Sequence, residues 1–139
     1  TKRKIQDETV RYKYISSWAV DVIDSYDAEA VFLEDYAFAA TGKVFHIAEN
    51  TGVLKYKLYQ MSLPVDVIAP SEIKKFATGK GNASKEKMYE SFFEETGIPL
   101  PSLLGMSRQK TEPQKIKSPI SDIVDSYFIC KFMRYEIIV

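Results

Sequence analysis

Cysteine is almost missing from this chain: Cys130 stands alone in 139 residues, which excludes both a disulfide framework and a cysteine-based metal centre. It lies in an apolar helical context and reads as core filler. Histidine is equally scarce. His46 is the single example, with no cysteine or second histidine near it, and it reads as a structural or surface residue rather than a ligand. Net charge is missing too, since 19 lysines and arginines balance 19 aspartates and glutamates. Any nucleic-acid binding must therefore come from local basic patches and not from an overall field. No apolar run approaches the roughly 18 residues that a membrane-crossing helix needs, and the N-terminus lacks a signal-peptide pattern. A soluble, cytoplasmic protein with no membrane partner is the expectation. Internal repeats and low-complexity tracts are absent. What remains is 45% apolar residues in a length near the usual domain size, enough for one core, so residues 1–139 are expected to form a single domain.

Along the chain, residues 1–9 are polar and basic. Val10, Tyr14, Ile15, Trp18, Val22 and Ile23 then recur at three and four, the stripe of a helix packed on a sheet and ending near Tyr26. Ala30 to Glu34 reads as a buried strand, and helix, short connection and hydrophobic strand in that order is an α/β layer pattern. Tyr36 to Gly42 reads as a loop, whose Tyr36 and Phe38 either pack inward or stack on a base. Lys43 to Leu63 predicts a long helix with Gly52 inside it, where a close packing partner is expected because an interior glycine costs about 1 kcal/mol relative to alanine. Pro64 stops that helix, and Val65 to Ala69 alternates as a second strand.

Pro70 to Phe76 predicts a short helical turn. Thr78-Gly79-Lys80-Gly81-Asn82-Ala83-Ser84-Lys85 lacks the spacing of a Walker loop and reads as a flexible basic hairpin against a phosphate backbone, with Asn82 capping a helix from about Ala83 to Thr96. Gly97 ends that helix. Ile98 to Lys117 has no sustained period and is long for a loop. Ser118-Pro119 predicts a helix start with serine as N-cap, and the chain closes on a short β-like tail, Tyr135 to Val139.

Two groups of acids carry the chemical signal. Glu34 and Asp35 end an apolar strand, and in open α/β sheets ligands sit beyond the carboxyl ends of strands. Asp122 and Asp125 are three apart and project from one face of the last helix. Each has a structural explanation as well: turn residues in the first case, acids favoured by the helix dipole in the second.

Taken in order, these pieces resemble the RuvC-type Holliday junction resolvases, in a bacteriophage-like version, from Arg11 to about Met133. The resemblance rests on Arg11-Tyr-Lys-Tyr-Ile leading the first helix, Val31-Phe-Leu-Glu34, Ile47-Ala-Glu-Asn-Thr-Gly52, Leu63-Pro64-Val65, the motif Gly79-Lys-Gly-Asn-Ala-Ser-Lys85, and Ser121-Asp122-Ile-Val-Asp125. It implies an α/β fold of ribonuclease H-like type, with a mixed central sheet and helices on both faces. It also implies a divalent-metal-dependent endodeoxyribonuclease that cuts four-way or other branched DNA by paired nicks. Glu34, Asp122 and Asp125 would hold two Mg²⁺ or Mn²⁺ ions, oxygen donors being what these cations prefer. Lys85 would stand near the scissile phosphate as a cation or proton donor, and Tyr36, Phe38, Lys80, Asn82 and Lys85 would meet DNA. A homodimer through the helix around Lys43 to Tyr59 follows from the same resemblance, as does the cytoplasm of a bacterium or phage-infected host.

Two departures stand out. The family opens with a strand of the form apolar-apolar-Asp-Pro-Gly that supplies a first catalytic aspartate, and nothing here fits it; Asp7 lies in a polar segment. Either the chain is a piece of a longer protein or this member has lost that strand, and with one of four ligands missing the chain as it stands is expected to be inactive and poorly stable. The other departure is the insertion-like Ile98 to Lys117. A non-catalytic DNA-binding or assembly module of the same fold is the competing reading, and a ribonuclease H-like nuclease for flaps or RNA hybrids is a third.

Overall fold

Val31–Glu34 and Val65–Ile68 form strands β1 and β2, which lie side by side in a two-stranded sheet. In this computed structural model the described residues are 2–36, 44–107 and 114–138, with side chains described within 6–136. The strands run parallel, and Val31 N–H donates to the Pro64 carbonyl at 2.9 Å. Parallel neighbours cannot be joined by a tight turn; helix α2, Val44–Gln60, makes the crossover. The chain divides into two compact units, 1–67 and 68–139, with the division inside β2.

The first unit pairs α1, Lys2–Ser25, with α2. The helix starts upstream of the expected Val10, because nothing in residues 2–9 breaks it. The face that α1 buries also differs from expectation. Tyr12 and Ser16, one turn apart, are buried, whereas Tyr14 and Trp18 are 71% and 68% exposed. Periodicity identified an apolar stripe but not what it faces, and polar groups on both helices are hydrogen-bonded across the pair. The Tyr12 hydroxyl donates to Glu49 Oε2 at 2.9 Å and lies 3.1 Å from His46 Nδ1. Lys57 Nζ donates to Ser17 Oγ at 3.0 Å. An added Cβ at Gly52 would meet nothing within 4 Å, so among the described residues this glycine has no close packing partner.

The second unit holds the larger core. Helices α3 (Pro70–Thr78), α4 (Lys85–Thr96), α5 (Leu100–Leu103) and α6 (Ile120–Ile138) enclose Ile68, Ile73, Met88, Phe92, Leu100, Ile116, Ile120, Val124 and Phe128. The stretch expected to be a featureless loop thus contributes α5 and buries Leu100, Pro101 and Ile116. Cys130 is exposed, not core. At about 100° per residue it lies some 200° round from Phe128, on the far side of the helix from the buried stripe. Of the expected β-like tail, Tyr135 to Ile138 is the last part of α6 and Val139 lies outside the described residues; no breaker separates the tail from the helix, and Tyr135 and Phe132 both pack edge-on against Phe76, at 5.9 and 5.4 Å between centroids. Lys131 and the Tyr127 hydroxyl both donate to Glu95, tying α6 to α4; the Lys131 hydrogen bond above all holds the Glu95 carboxyl below the usual carboxylate range.

The glycine-rich segment, expected as a hairpin, is a turn between α3 and α4. Gly79 adopts a left-handed φ of 81° and its N–H caps α3 on the Lys75 carbonyl, while a Cβ at Gly81 would crowd the Ser71 carbonyl at 3.3 Å. The cap of α4 is Ser84, whose hydroxyl accepts from Lys87 N–H at 3.2 Å, in place of the expected Asn82. Ser84→Ala should therefore destabilise the protein by about 1 kcal/mol, and Asn82→Ala by less than about 0.5 kcal/mol, read from urea melts. Phe128→Ala should cost about 3–5 kcal/mol in the same assay, while Cys130→Ser should change stability by less than about 0.5 kcal/mol.

Candidate acidic site on helix α6

Ile120, Val124 and Phe128 recur every fourth residue and are all buried, which sets the rotation of α6. Asp122 then falls on the exposed side, while Asp125, one residue past Val124, sits at the border of the buried stripe and is only partly exposed. Burial pushes the Asp125 carboxyl up from the ordinary aspartate range and the nearby Asp122 carboxylate pushes it further, while Lys74 and Lys85 pull it back. Ser118 was expected to cap the helix through a backbone N–H. Its hydroxyl instead donates to the Asp122 carboxylate, and α6 opens with Ser121 N–H on the Lys117 carbonyl and Ile123 N–H on that of Pro119.

The second unit therefore brings together two of the acids read from the sequence, Asp122 and Asp125, with Lys85, the first residue of α4, within electrostatic reach. Lys74 of α3 joins them, and sequence reasoning missed it. The only available signal was its place next to buried Ile73 on a helix that follows a strand directly. Lys80 and Asn82 are exposed on the turn between α3 and α4, and Lys80 lines a cavity of about 340 Å³ with Lys87, Glu90 and Glu94.

In the first unit, Glu34 is the last residue of β1 and is exposed. Asp35 accepts from Tyr36 N–H at 2.8 Å, a turn contact. Tyr36 is exposed, with the Lys55 ammonium 5.8 Å from its ring centroid, within cation–π range. Phe38 lies outside the described residues.

Chemically, two crowded carboxylates offer only acceptor oxygens, and one of them is partly desolvated. A hard divalent cation suits such donors and would relieve their mutual repulsion. Two lysines beside them provide the complementary attraction for an anionic group such as a phosphate.

The fold is shared with solved RuvC structures. A Thermus thermophilus RuvC structure matches 93% of this chain and 70% of its own length at a TM-score of 0.68 and 17% identity. T. thermophilus RuvC in complex with Holliday junction substrate matches 88% of this chain and 67% of its own length, at a TM-score of 0.64 and 17% identity. These likenesses place the chain in the ribonuclease H-like α/β class. The family described as crossover junction endodeoxyribonuclease RuvC matches residues 2–92. The crossover junction endodeoxyribonuclease RuvC of Corynebacterium diphtheriae is 35% identical over 75 residues, 53% of this chain. The chain belongs to the RuvC family. It spans 44% of the length of that C. diphtheriae relative. No helix among the described residues is long and apolar enough to cross a membrane.

The raised Asp125 pKa has a consequence for stability. The folded protein holds this proton to higher pH than the unfolded chain does, so the penalty on the folded state is absent below the ordinary value of 3.8, grows as pH rises from there, and is complete once pH has passed the folded pKa. Asp125→Asn should raise the melting temperature at pH 7, and the difference from the parent should shrink to nothing as pH falls below 3.8. Thermal melts at pH 3 to 7 check this.

Proposed function

We propose that this chain belongs to a structure-selective endodeoxyribonuclease that cleaves four-way or other branched DNA with divalent metal by paired nicks. The observation that supports it most directly is the Asp122–Asp125 pair on α6, one carboxyl partly desolvated and both beside Lys74 and Lys85, in a chain of the RuvC family. Glu34 joins the two aspartates as a third carboxylate on the strength of the sequence resemblance. The family match runs from 2 to 92, across the boundary between the two compact units, which favours their service to one domain.

In this reading Glu34, Asp122 and Asp125 hold two divalent ions, Mg²⁺ or Mn²⁺. When bound, such ions neutralise charge on the attacking and leaving oxygens of the phosphodiester and lower the pKa of a bound water. The residues of the chain do the rest. The Ser118 hydroxyl holds the Asp122 carboxylate in one orientation. Lys85 and Lys74 draw the phosphate toward the acids; as the water oxygen bonds to phosphorus, losing a proton to solvent, and the bond to the leaving sugar oxygen breaks, Lys85 gives that oxygen a proton and is reprotonated from solvent. Lys80 and Asn82 contact the backbone of the DNA, and Tyr36 and Phe38 stack against its bases. Two copies meet through α2, which exposes Phe45, Ile47, Tyr56 and Tyr59, and the two sites of the pair nick strands placed symmetrically about the junction.

The test is cleavage of a synthetic four-way DNA junction with Mg²⁺ by the full natural polypeptide. Glu34→Gln and Asp125→Asn should each abolish cleavage and leave junction binding by gel shift unchanged. Lys85→Ala should slow cleavage about 10²–10⁴-fold with a smaller effect on binding. Cleavage retained in both acid variants sinks the assignment of the acids, and a parent polypeptide that binds junctions but never cuts them supports a non-catalytic module instead.

A further inference from the structure

Glu8, His46 and Glu49 form a second cluster of donor groups, built from residues that the proposed nuclease chemistry does not use. One ligand atom from each lies within 4.8 Å of the others, and His46 Nδ1 is 3.7 Å from Glu8 Oε1. The spacing explains the convergence. His46 and Glu49 are three apart on α2, and Glu8 and Tyr12 four apart on α1, so each helix presents both of its groups on one face. Tyr12 is buried, and its hydroxyl touches both His46 Nδ1 and Glu49 Oε2, at 3.1 and 2.9 Å, which keeps the imidazole and the carboxylate turned toward one another. A cavity of about 400 Å³ lies alongside, with His46 and Tyr12 in its wall together with Arg11, Ile15, Ile47 and Asn50. The Asn50 side-chain oxygen is buried there without a hydrogen-bond partner among the described residues.

We propose that Glu8, His46 and Glu49 bind a divalent transition-metal ion of the Zn²⁺ class, which joins α1 to α2. One imidazole nitrogen with two carboxylates suits Zn²⁺ better than Mg²⁺, which prefers oxygen donors alone. Bonds of about 2.0–2.2 Å set donor atoms roughly 3–3.5 Å apart around a shared ion. Rotation of two exposed side chains, His46 and Glu49, closes the remaining gap. The Tyr12 hydroxyl stays hydrogen-bonded to the Glu49 carboxylate and orients it, as outer-shell partners of metal ligands do.

Isothermal titration of the chelator-treated chain with ZnCl₂ tests this, with Cys130→Ser as the background so that the exposed thiol takes no zinc. One Zn²⁺ should bind with a Kd on the order of micromolar. His46→Ala and Glu49→Gln should each weaken it at least 10-fold, the range for loss of a ligand or its close partner, with far-UV circular dichroism unchanged. Glu8→Gln, on the opposite helix, gives an independent check and should weaken it likewise. Zn²⁺ should raise the melting temperature of the background protein and not of its His46→Ala variant, and Asp122→Asn with Asp125→Asn should bind Zn²⁺ at this site as the background does. Absence of zinc binding, binding unchanged by His46→Ala and Glu8→Gln, or binding lost only in the Asp122→Asn, Asp125→Asn protein overturns the proposal.

Discussion

Burial of Ile120, Val124 and Phe128 fixes the angle at which α6 meets the rest of its unit, and every polar group on that helix takes its place from that angle. Each such side chain contributes about 1.5–3 kcal/mol when it leaves water, so the helix cannot rotate to let Asp125 reach solvent without losing more than a better-solvated carboxylate would regain. The cost of a partly desolvated acid is thus imposed by the core. The same stripe leaves Asp122 exposed, close enough to raise Asp125 further, and holds it where the Ser118 hydroxyl can reach it. Packing, in other words, produces the perturbed carboxyl, and perturbed titratable groups concentrate where chemistry is done.

The charges around this pair constrain what it can accept. Lys74 and Lys85 favour the ionised form of Asp125 but do not outweigh burial and Asp122, since the net direction is upward. An anionic phosphate approaching this corner would meet two carboxylates against two ammonium groups, with no surplus positive charge. A divalent cation changes that balance, because it both stabilises the two carboxylates and presents positive charge to the phosphate. The chain as a whole carries no net charge to help, at 19 basic against 19 acidic residues. Any attraction for a polyanion would have to be local, from Lys80 on the α3–α4 turn, from Lys85 at the start of α4, and from a cation if the acids accept one.

How far this was legible in the sequence depends on the scale of the signal. Strong, local patterns read well: β1 and β2 within a residue of their apolar runs, Pro64 and Gly97 as stops, and Asp122 with Asp125 on one helical face. The capping group of α4 did not, since Asn82, Ser84 and the residues between them all suit a turn and only the backbone path shows that Ser84 meets Lys87. Cys130 misled because an apolar neighbourhood in sequence says nothing about which side of the helix faces the core. Lys74 was invisible because its relation to Asp125 joins residues 51 positions apart in the chain. His46 looked isolated for the same reason: Glu49 was one turn away on its own helix, but Glu8 and Tyr12 belong to another.

The two units also rest on different physics. The second is held by a continuous cluster of nine buried apolar residues. The first buries few, chiefly Tyr12, Ser16 and Leu58, and its helix pair is joined by the Tyr12, His46 and Glu49 contacts and by Lys57 on Ser17. Hydrogen bonds of this kind each contribute only about 0.5–1.5 kcal/mol net, because water competes for both partners. Opening of α1 from α2 would break these hydrogen bonds. A contact that spans the two helices has more leverage on the order of this unit than one placed anywhere in the second, where a large apolar cluster already supplies the cohesion. The groups that could make such a contact stand at the point where α1 and α2 already touch, so ordering them costs little further side-chain entropy beyond what the Tyr12 hydroxyl has fixed.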